Sequence, residues 1–172
     1  SLDAGRMVME CRESLARFFG ITDASRIAFT ANATEAINLG LFGALSPGDR
    51  VVTTSMEHNA VVRPLQALSD QGVDVVRVAA DTLGQVNPLA IREACVPGTR
   101  IVIMTHCSNV SGTLQAIEEV GPWCREQGIL FMVDAAQSAG VFPINVEKMA
   151  IDLLAVPGHK SLLGPTTTGF LY

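Results

Sequence analysis

A single lysine, Lys160, follows the apolar run 153–156 and the pair Pro157-Gly158. Proline and glycine typically end a strand with a tight turn, so the sequence predicts a lysine held at the end of a buried strand. Ligands of open α/β sheets bind at that edge. Burial disfavours the charged form of an amine, and a neutral amine can form a Schiff base with an aldehyde. The alternative is a lysine exposed in a surface loop, which is the usual situation of this residue type.

A carboxylate, Asp134, ends a second apolar run at residues 129–133. A buried carboxylate needs a cationic or hydrogen-bonding partner, and a protonated ring nitrogen would be such a partner. Asp134 could equally be the N-cap of a helix that begins at residues 135–137. Gln137 lies three residues further on and would project to the same side of a helical turn. A capping or surface role is the alternative for Gln137.

An anion site is predicted where Ala33-Thr34 follows a short strand and precedes a helix. Small residues leave backbone N–H groups accessible, and the helix dipole favours an anion there. The alternative is an ordinary helix start with Thr34 as the cap and Glu35 in the first turn. The segment 158–161 is not a nucleotide-binding Walker A loop, because a histidine separates its glycine from its lysine.

The chain has three histidines, His58, His106 and His159, and each falls in a predicted loop. A loop histidine is usually solvated, but an imidazole could also stack on an aromatic ring or move protons near neutral pH. Their spacing matches no zinc motif, so no metal site is predicted.

Strands and helices alternate along the whole chain, which predicts an α/β fold with a mainly parallel sheet and helices on both faces. We find no linker and no internal repeat, so residues 1–172 are predicted to form one domain. The predicted strands are 27–30, 50–54, 73–78, 101–105, 129–133, 151–156 and 168–172. The predicted helices are 6–19, a segment around 36–41, about 60–71, a segment from 88 onward and 115–127.

Composition excludes several classes of protein. Of 172 residues, 48% are hydrophobic and 17% are charged, and the net charge of −5 argues against a nucleic-acid surface. No apolar run approaches the roughly 20 residues that span a bilayer, and the first residues lack the apolar region of a signal peptide. The four cysteines form no CxxC pair, so we expect reduced thiols and a cytoplasmic location.

Five motifs together resemble the cysteine desulfurase and selenocysteine lyase branch of the class V aminotransferases. These are fold-type I enzymes that use pyridoxal 5′-phosphate (PLP), with a three-layer α/β/α large domain and a sheet of roughly seven strands. The motifs occur in the family's order and spacing across nearly the whole chain. They are residues 30–38, 57–59, 108–112, 133–138, and 158–160 followed by Gly164-Pro165.

The resemblance implies a role for each residue around the cofactor ring. Lys160 would hold PLP as an internal aldimine and later act as the general base at the substrate Cα. Asp134 would pair with the pyridine nitrogen and Gln137 would hydrogen-bond the phenolic oxygen. His58 would stack on one ring face and could shuttle protons, and Ala136 would pack against the other face.

The resemblance also implies binding roles away from the ring. Asn109 would lie beside the ring and the substrate carboxylate, while Ala33, Thr34 and His159 would bind the phosphate. The family commonly has Ser where this chain has Pro157, so one phosphate-binding hydroxyl is missing.

Family members continue past the last predicted strand into a small C-terminal domain that carries the desulfurase cysteine and an arginine for the substrate carboxylate. We therefore interpret residues 1–172 as the PLP-binding large domain, inactive as a fragment, of a homodimeric enzyme acting on a small amino acid. An aminotransferase, epimerase or lyase of the same class is an alternative. A non-catalytic domain that serves in binding or assembly is another.

Overall fold

The protein folds around one seven-stranded sheet, with strand order β1-β7-β6-β5-β4-β2-β3. The structure is a computed structural model and describes residues 2–172. The strands are β1 (Ala28–Thr30), β2 (Arg50–Thr54), β3 (Asp74–Val78), β4 (Thr99–Thr105), β5 (Leu130–Asp134), β6 (Leu153–Pro157) and β7 (Gly169–Leu171). The helices are α1 (Leu2–Phe19), α2 (Ala33–Ala44), α3 (Asn59–Asp70), α4 (Pro88–Ala94) and α5 (Ile117–Gln127).

Two separate apolar cores cover the two faces of the sheet, as the continuous apolar strands predict. Successive strand residues point to opposite faces, so in β4 Val102 and Met104 join one core while Ile101 and Ile103 join the other. Helices α1, α4 and α5 contribute to the first core, and α2 and α3 contribute to the second. The three-layer α/β/α fold with a mainly parallel sheet is therefore confirmed.

Strands β3, β2, β4, β5 and β6 run parallel to one another, whereas β7 is antiparallel to both of its neighbours, β6 and β1. In this register Thr105 lies opposite Asp134, and Asp134 lies opposite Ala155. The carboxyl ends of β4, β5 and β6 thus meet at one edge of the sheet. Side chains that follow these strands are brought together there.

Local sequence signals explain several element boundaries. Asn87 caps α4 by accepting a hydrogen bond from the Leu89 N–H, and Pro88 occupies the first turn, where its missing N–H costs nothing. Helix α5 ends at Gly128, whose φ of 70° lies in the left-handed region that favours glycine. One predicted boundary is wrong: the sequence predicts a strand that ends at Val156, before Pro157, but Pro157 is the last residue of β6 and pairs with Gly169. The turn begins one residue later, at Gly158.

No helix among residues 2–172 is long and apolar enough to cross a membrane.

Close packing of α5 against the segment before β6 depends on Gly121. A Cβ built on this residue would collide with the Met149 carbonyl oxygen and would lie 2.9 Å from Cδ1 of Phe131. A backbone carbonyl cannot move aside as a flexible side chain can. We therefore expect Gly121→Ala to lower the free energy of unfolding by about 1–3 kcal/mol, as overpacking does.

Gly43→Ala is the matched control, since Gly43 is an exposed residue of α2 and a Cβ at this position would meet nothing within 4 Å. It should raise the free energy of unfolding by about 0.5–1 kcal/mol, because alanine loses less backbone entropy in a helix. Urea denaturation of both variants measures the difference. Equal effects of the two substitutions would contradict this account of Gly121.

Candidate active site

A cavity of about 110 Å³ lies at the edge of the sheet where β4, β5 and β6 end. The structure brings all nine of the site residues predicted from the sequence to its wall. These are Ala33, Thr34, His58, Asn109, Asp134, Ala136, Gln137, His159 and Lys160. Six further residues complete the lining: Asn32, Ile37, Ala60, Thr105, Cys107 and Pro157.

Asp134 forms the floor of the cavity at the end of β5 and is only 2% exposed. Its Oδ1 accepts a hydrogen bond of 2.9 Å from the Ala136 N–H. Burial raises the pKa of Asp134, while the Ala136 N–H and the charge of Lys160 oppose that rise. Within residues 2–172, Oδ2 accepts no hydrogen bond, so this oxygen can receive a donor from a ligand.

The alternative in which Asp134 is the N-cap of a helix is wrong. Residues 136–138 form a turn, closed by the Ala139 N–H bonding to the Ala135 carbonyl, and no helix is present there. Asp134 therefore caps a turn rather than a helix. This turn carries Ala136 and Gln137 to the cavity wall directly beside the carboxylate.

Lys160 lies in the loop after β6, at the rim of the cavity. The loop is held by the Gly158 N–H, which donates to the Thr168 carbonyl at 2.7 Å, and by the Gly164 N–H, which donates to the Gly158 carbonyl at 2.8 Å. The Lys160 side chain is exposed. The expectation that Lys160 is partly desolvated is therefore wrong in the described part of the chain, because the rim of the cavity that carries Lys160 is open to solvent.

His58 has a structural role that its sequence position does not reveal. It is the N-cap of α3, and its Nδ1 accepts a hydrogen bond of 3.0 Å from the Ala60 N–H. Because a backbone N–H always donates, Nδ1 carries no proton in this arrangement. The neutral ring therefore carries its proton on Nε2, and it can act as a hydrogen-bond donor from that atom.

The start of α2 forms one end of the cavity. Asn32, not Thr34, is the N-cap: its Oδ1 accepts from the Glu35 N–H at 2.8 Å, and the Glu35 carboxylate accepts from the Ala31 N–H at 2.6 Å. This pair is similar to a capping box, except that Glu35 bonds to the N–H of the residue before the cap. The expectation of a Thr34 cap is therefore wrong. The Thr34 hydroxyl makes no hydrogen bond in the described part of the chain and is available to a ligand.

Gly169 allows this helix start to approach the sheet. A Cβ at Gly169 would lie 2.9 Å from the Asn32 Cα and 2.8 Å from the Val156 carbonyl oxygen. The missing side chain thus lets α2 begin directly beside the end of β6. The N-terminus of α2 and the loop that carries Lys160 consequently face the same cavity.

The loop after β4 supplies Asn109, which is exposed at the cavity wall. The Ser108 hydroxyl holds this loop by accepting from the Val110 N–H at 3.2 Å and the Ser111 N–H at 3.3 Å. Gln137 is half-buried and His159 is exposed. Sequence reasoning missed Asn32 and Thr105, although the pattern Asn32-x-x-Glu35 was a readable signal for a helix N-terminus.

A known protein family matches this chain over its whole length. It is described as Aminotransferase class-V and matches residues 1–172. The chain belongs to this family. The assignment made from the motifs is confirmed, and the α/β sheet described above is the fold of its solved relatives.

A probable cysteine desulfurase of Methanothermobacter thermautotrophicus is 42% identical over 172 residues, covering 99% of this chain and 43% of that protein. The solved structure of SspA in complex with cysteine has a TM-score of 0.93 at 33% identity and covers 99% of this chain and 50% of that one. A mutant of C-DES with glycine covalently linked to its PLP cofactor has a TM-score of 0.88 at 28% identity, covering 98% and 46% of the two chains. The chain thus spans half or less of the length of these family members.

The capping role of His58 can be separated from any role of its ring. We expect His58→Ala to lower the free energy of unfolding by about 1 kcal/mol, because it removes the acceptor for the Ala60 N–H. His58→Asn should retain the stability, since asparagine is a preferred N-cap, although both variants lose the imidazole. Thermal denaturation without ligand measures the difference. Equal stability of the Ala and Asn variants would show that the cap contributes nothing.

Proposed function

We propose that this chain is the PLP-binding large domain of a PLP-dependent enzyme of the cysteine desulfurase type, acting on a small amino acid. One observation carries the proposal: the amine of Lys160 and the buried carboxylate of Asp134 line the same cavity. Family membership supports it, as do the relatives described as cysteine desulfurases. Because the chain spans half or less of those relatives, the activity belongs to the whole protein.

The chemistry of the donor set fits PLP. Asp134 is 2% exposed and its Oδ2 has no partner within residues 2–172. A lone buried carboxylate is costly unless a cationic donor meets it, and a protonated pyridine nitrogen is such a donor. At the other end, the N-terminus of α2 and the Thr34 hydroxyl suit a phosphate. An aromatic cation that carries a phosphate satisfies both ends together.

Each residue around the ring then has a task. Lys160 would hold PLP covalently through its Nζ, and Asp134 would keep the ring nitrogen protonated. When bound, PLP supplies an electron sink for the negative charge that develops at the substrate Cα. Gln137 would hydrogen-bond the phenolic oxygen, His58 would pack on one face of the ring, and Ala136 would pack on the other.

The phosphate end depends on fewer hydroxyl groups than the family pattern provides. Ala33 offers its backbone N–H, Thr34 offers its N–H and hydroxyl, and His159 offers its imidazole. Pro157 lines the cavity but has neither a hydroxyl nor an N–H to donate. Thr34 therefore contributes a larger share of the phosphate binding.

The remaining groups act on the substrate. Asn109 lies where it can bind the substrate carboxylate. The Nζ of Lys160 would accept the proton from the substrate Cα. His58 would donate the proton on its Nε2 to a group beside the ring that leaves or that gains negative charge. We further propose a homodimeric and cytoplasmic protein; the compartment is supported by four cysteines that are all free.

Lys160→Ala should abolish covalent attachment of PLP. The full-length protein is loaded with PLP, reduced with borohydride, and the mass of the peptide that contains residue 160 is measured. The chain offers a matched control, since Lys148 is its other lysine and is exposed away from the cavity. Lys148→Ala should retain the added mass of the cofactor on Lys160. Labelling that survives in the Lys160 variant, or is lost in the Lys148 variant, would overturn the proposal.

Asp134→Asn should weaken PLP binding by about 30-fold or more, which corresponds to the 2 kcal/mol or more lost when one partner of a buried charge pair is removed. Asparagine keeps the shape and the acceptor for the Ala136 N–H, so the fold should be retained. Fluorescence titration of the full-length apoprotein with PLP measures the dissociation constant. An unchanged constant would mean that Asp134 does not meet a cationic ring.

A further inference from the structure

Glu57 places a second carboxyl group beside Asp134, although Glu57 does not line the cavity. It follows β2 and immediately precedes His58. Its Oε1 accepts a hydrogen bond of 2.6 Å from the Thr54 hydroxyl and one of 3.0 Å from the Thr105 N–H. The carboxyl group thus joins the end of β2 to the end of β4. Thr105 in turn lies opposite Asp134 in the sheet.

The surroundings of the other oxygen of Glu57 disfavour an ionised carboxylate. Oε2 is buried and has no hydrogen-bond partner within residues 2–172. Both donors bond to Oε1, so in an ionised carboxylate Oε2 would be buried without compensation. Burying an unpaired charge costs far more than burying an unpaired hydroxyl. The geometry therefore favours the neutral acid, with Oε1 as the carbonyl oxygen and the proton on Oε2.

The surrounding charges favour the same state. Asp134 faces Glu57 from β5, whereas β2 and β4 present the uncharged Thr54 and Thr105. Burial raises the pKa of Glu57 to about 8; the hydrogen bonds from Thr54 and Thr105 oppose the rise, and the charge of Asp134 adds to it. Asp134 also has a raised pKa, but the Ala136 N–H and the charge of Lys160 favour its ionised form. Of these two carboxyl groups, Glu57 is the one that keeps a proton.

We propose that Glu57 is a positioning residue that stays protonated at neutral pH, so that it fixes the segment carrying His58 to the end of β4 while leaving the negative charge on Asp134. A neutral acid can accept both hydrogen bonds without placing a second anion beneath the cavity. The benefit to a bound ring rests on the proposed PLP site. The protonation of Glu57 does not, because it follows from the apoprotein.

The number of protons released on unfolding tests the protonation directly. Between the ordinary pKa of a glutamate and about 8, the folded protein binds one more proton than the unfolded chain at this site. The unfolding equilibrium constant should therefore rise about tenfold per pH unit through this site in that range. At pH 7 the unsubstituted full-length apoprotein should release about one proton more than Glu57→Gln. Equal proton release by the two proteins would overturn the proposal.

Infrared spectroscopy of the folded apoprotein provides a second measurement. Because the main result comes from the unsubstituted protein, it does not depend on how well a variant folds. The unsubstituted protein should show the carbonyl band of a protonated carboxyl group at pH 7, and the band should fade as the pH rises past about 8. In Asp134→Asn the band should remain but fade at a lower pH, because the neighbouring charge is gone. Absence of the band in the unsubstituted protein at pH 7 would contradict a neutral Glu57.

PLP titration separates the neutral form from an ionised one. Glu57→Gln should retain the PLP affinity of the unsubstituted protein at pH 7, because the amide oxygen accepts the same two hydrogen bonds. Glu57→Leu, which removes both acceptors, should weaken PLP binding. If Gln weakens binding as much as Leu does, the ionised carboxylate is the working form and the proposal is wrong. If no protein binds PLP, the proposed function fails, and the proton count and infrared band still decide the state of Glu57.

Discussion

The candidate site depends on the parallel register of the three central strands. Thr105 of β4, Asp134 of β5 and Ala155 of β6 lie side by side, so the chain leaves β4 and β5 at the same height and leaves β6 two residues later. Parallel strands leave their carboxyl ends at one edge, where open α/β sheets bind ligands. Every loop that follows these strands contributes a polar side chain to one cavity. A register shift of one residue would turn the Asp134 side chain to the opposite face of the sheet.

Two helix starts complete this edge, and each is fixed by a different side chain. Asn32 caps α2 with the help of Glu35, and His58 caps α3 through its own ring. The first cap leaves the Thr34 hydroxyl unused by the protein. The second cap determines which ring nitrogen of His58 carries the proton. Local helix energetics thus determine which hydrogen-bonding atoms a ligand would find in the cavity.

Buried carboxyl groups set the electrostatics of the site. Two such groups in adjacent segments cannot both be charged at low cost. Asp134 has the cationic Lys160 as a neighbour at the cavity and one oxygen open to a ligand, whereas Glu57 has only uncharged donors on one oxygen and none on the other. The two carboxyl groups therefore serve different purposes: one can meet a ligand, and the other joins strand ends.

The sequence by itself determined the alternation of strands and helices, the class of fold, the family and the residues that gather at the cavity, because each of these follows from apolar periodicity or from short motifs. Asn32 as the cap of α2 was readable from the local pattern Asn32-x-x-Glu35, although sequence reasoning missed it. The sequence did not determine that a turn rather than a helix follows Asp134, or that Lys160 is exposed. It also gave no sign that Glu57 joins β2 to β4. Those features depend on distances between segments far apart in the chain, such as the approach of Gly169 to Asn32. Only the packing of the sheet and helices fixes such distances, and with them the burial, partners and charge of each side chain.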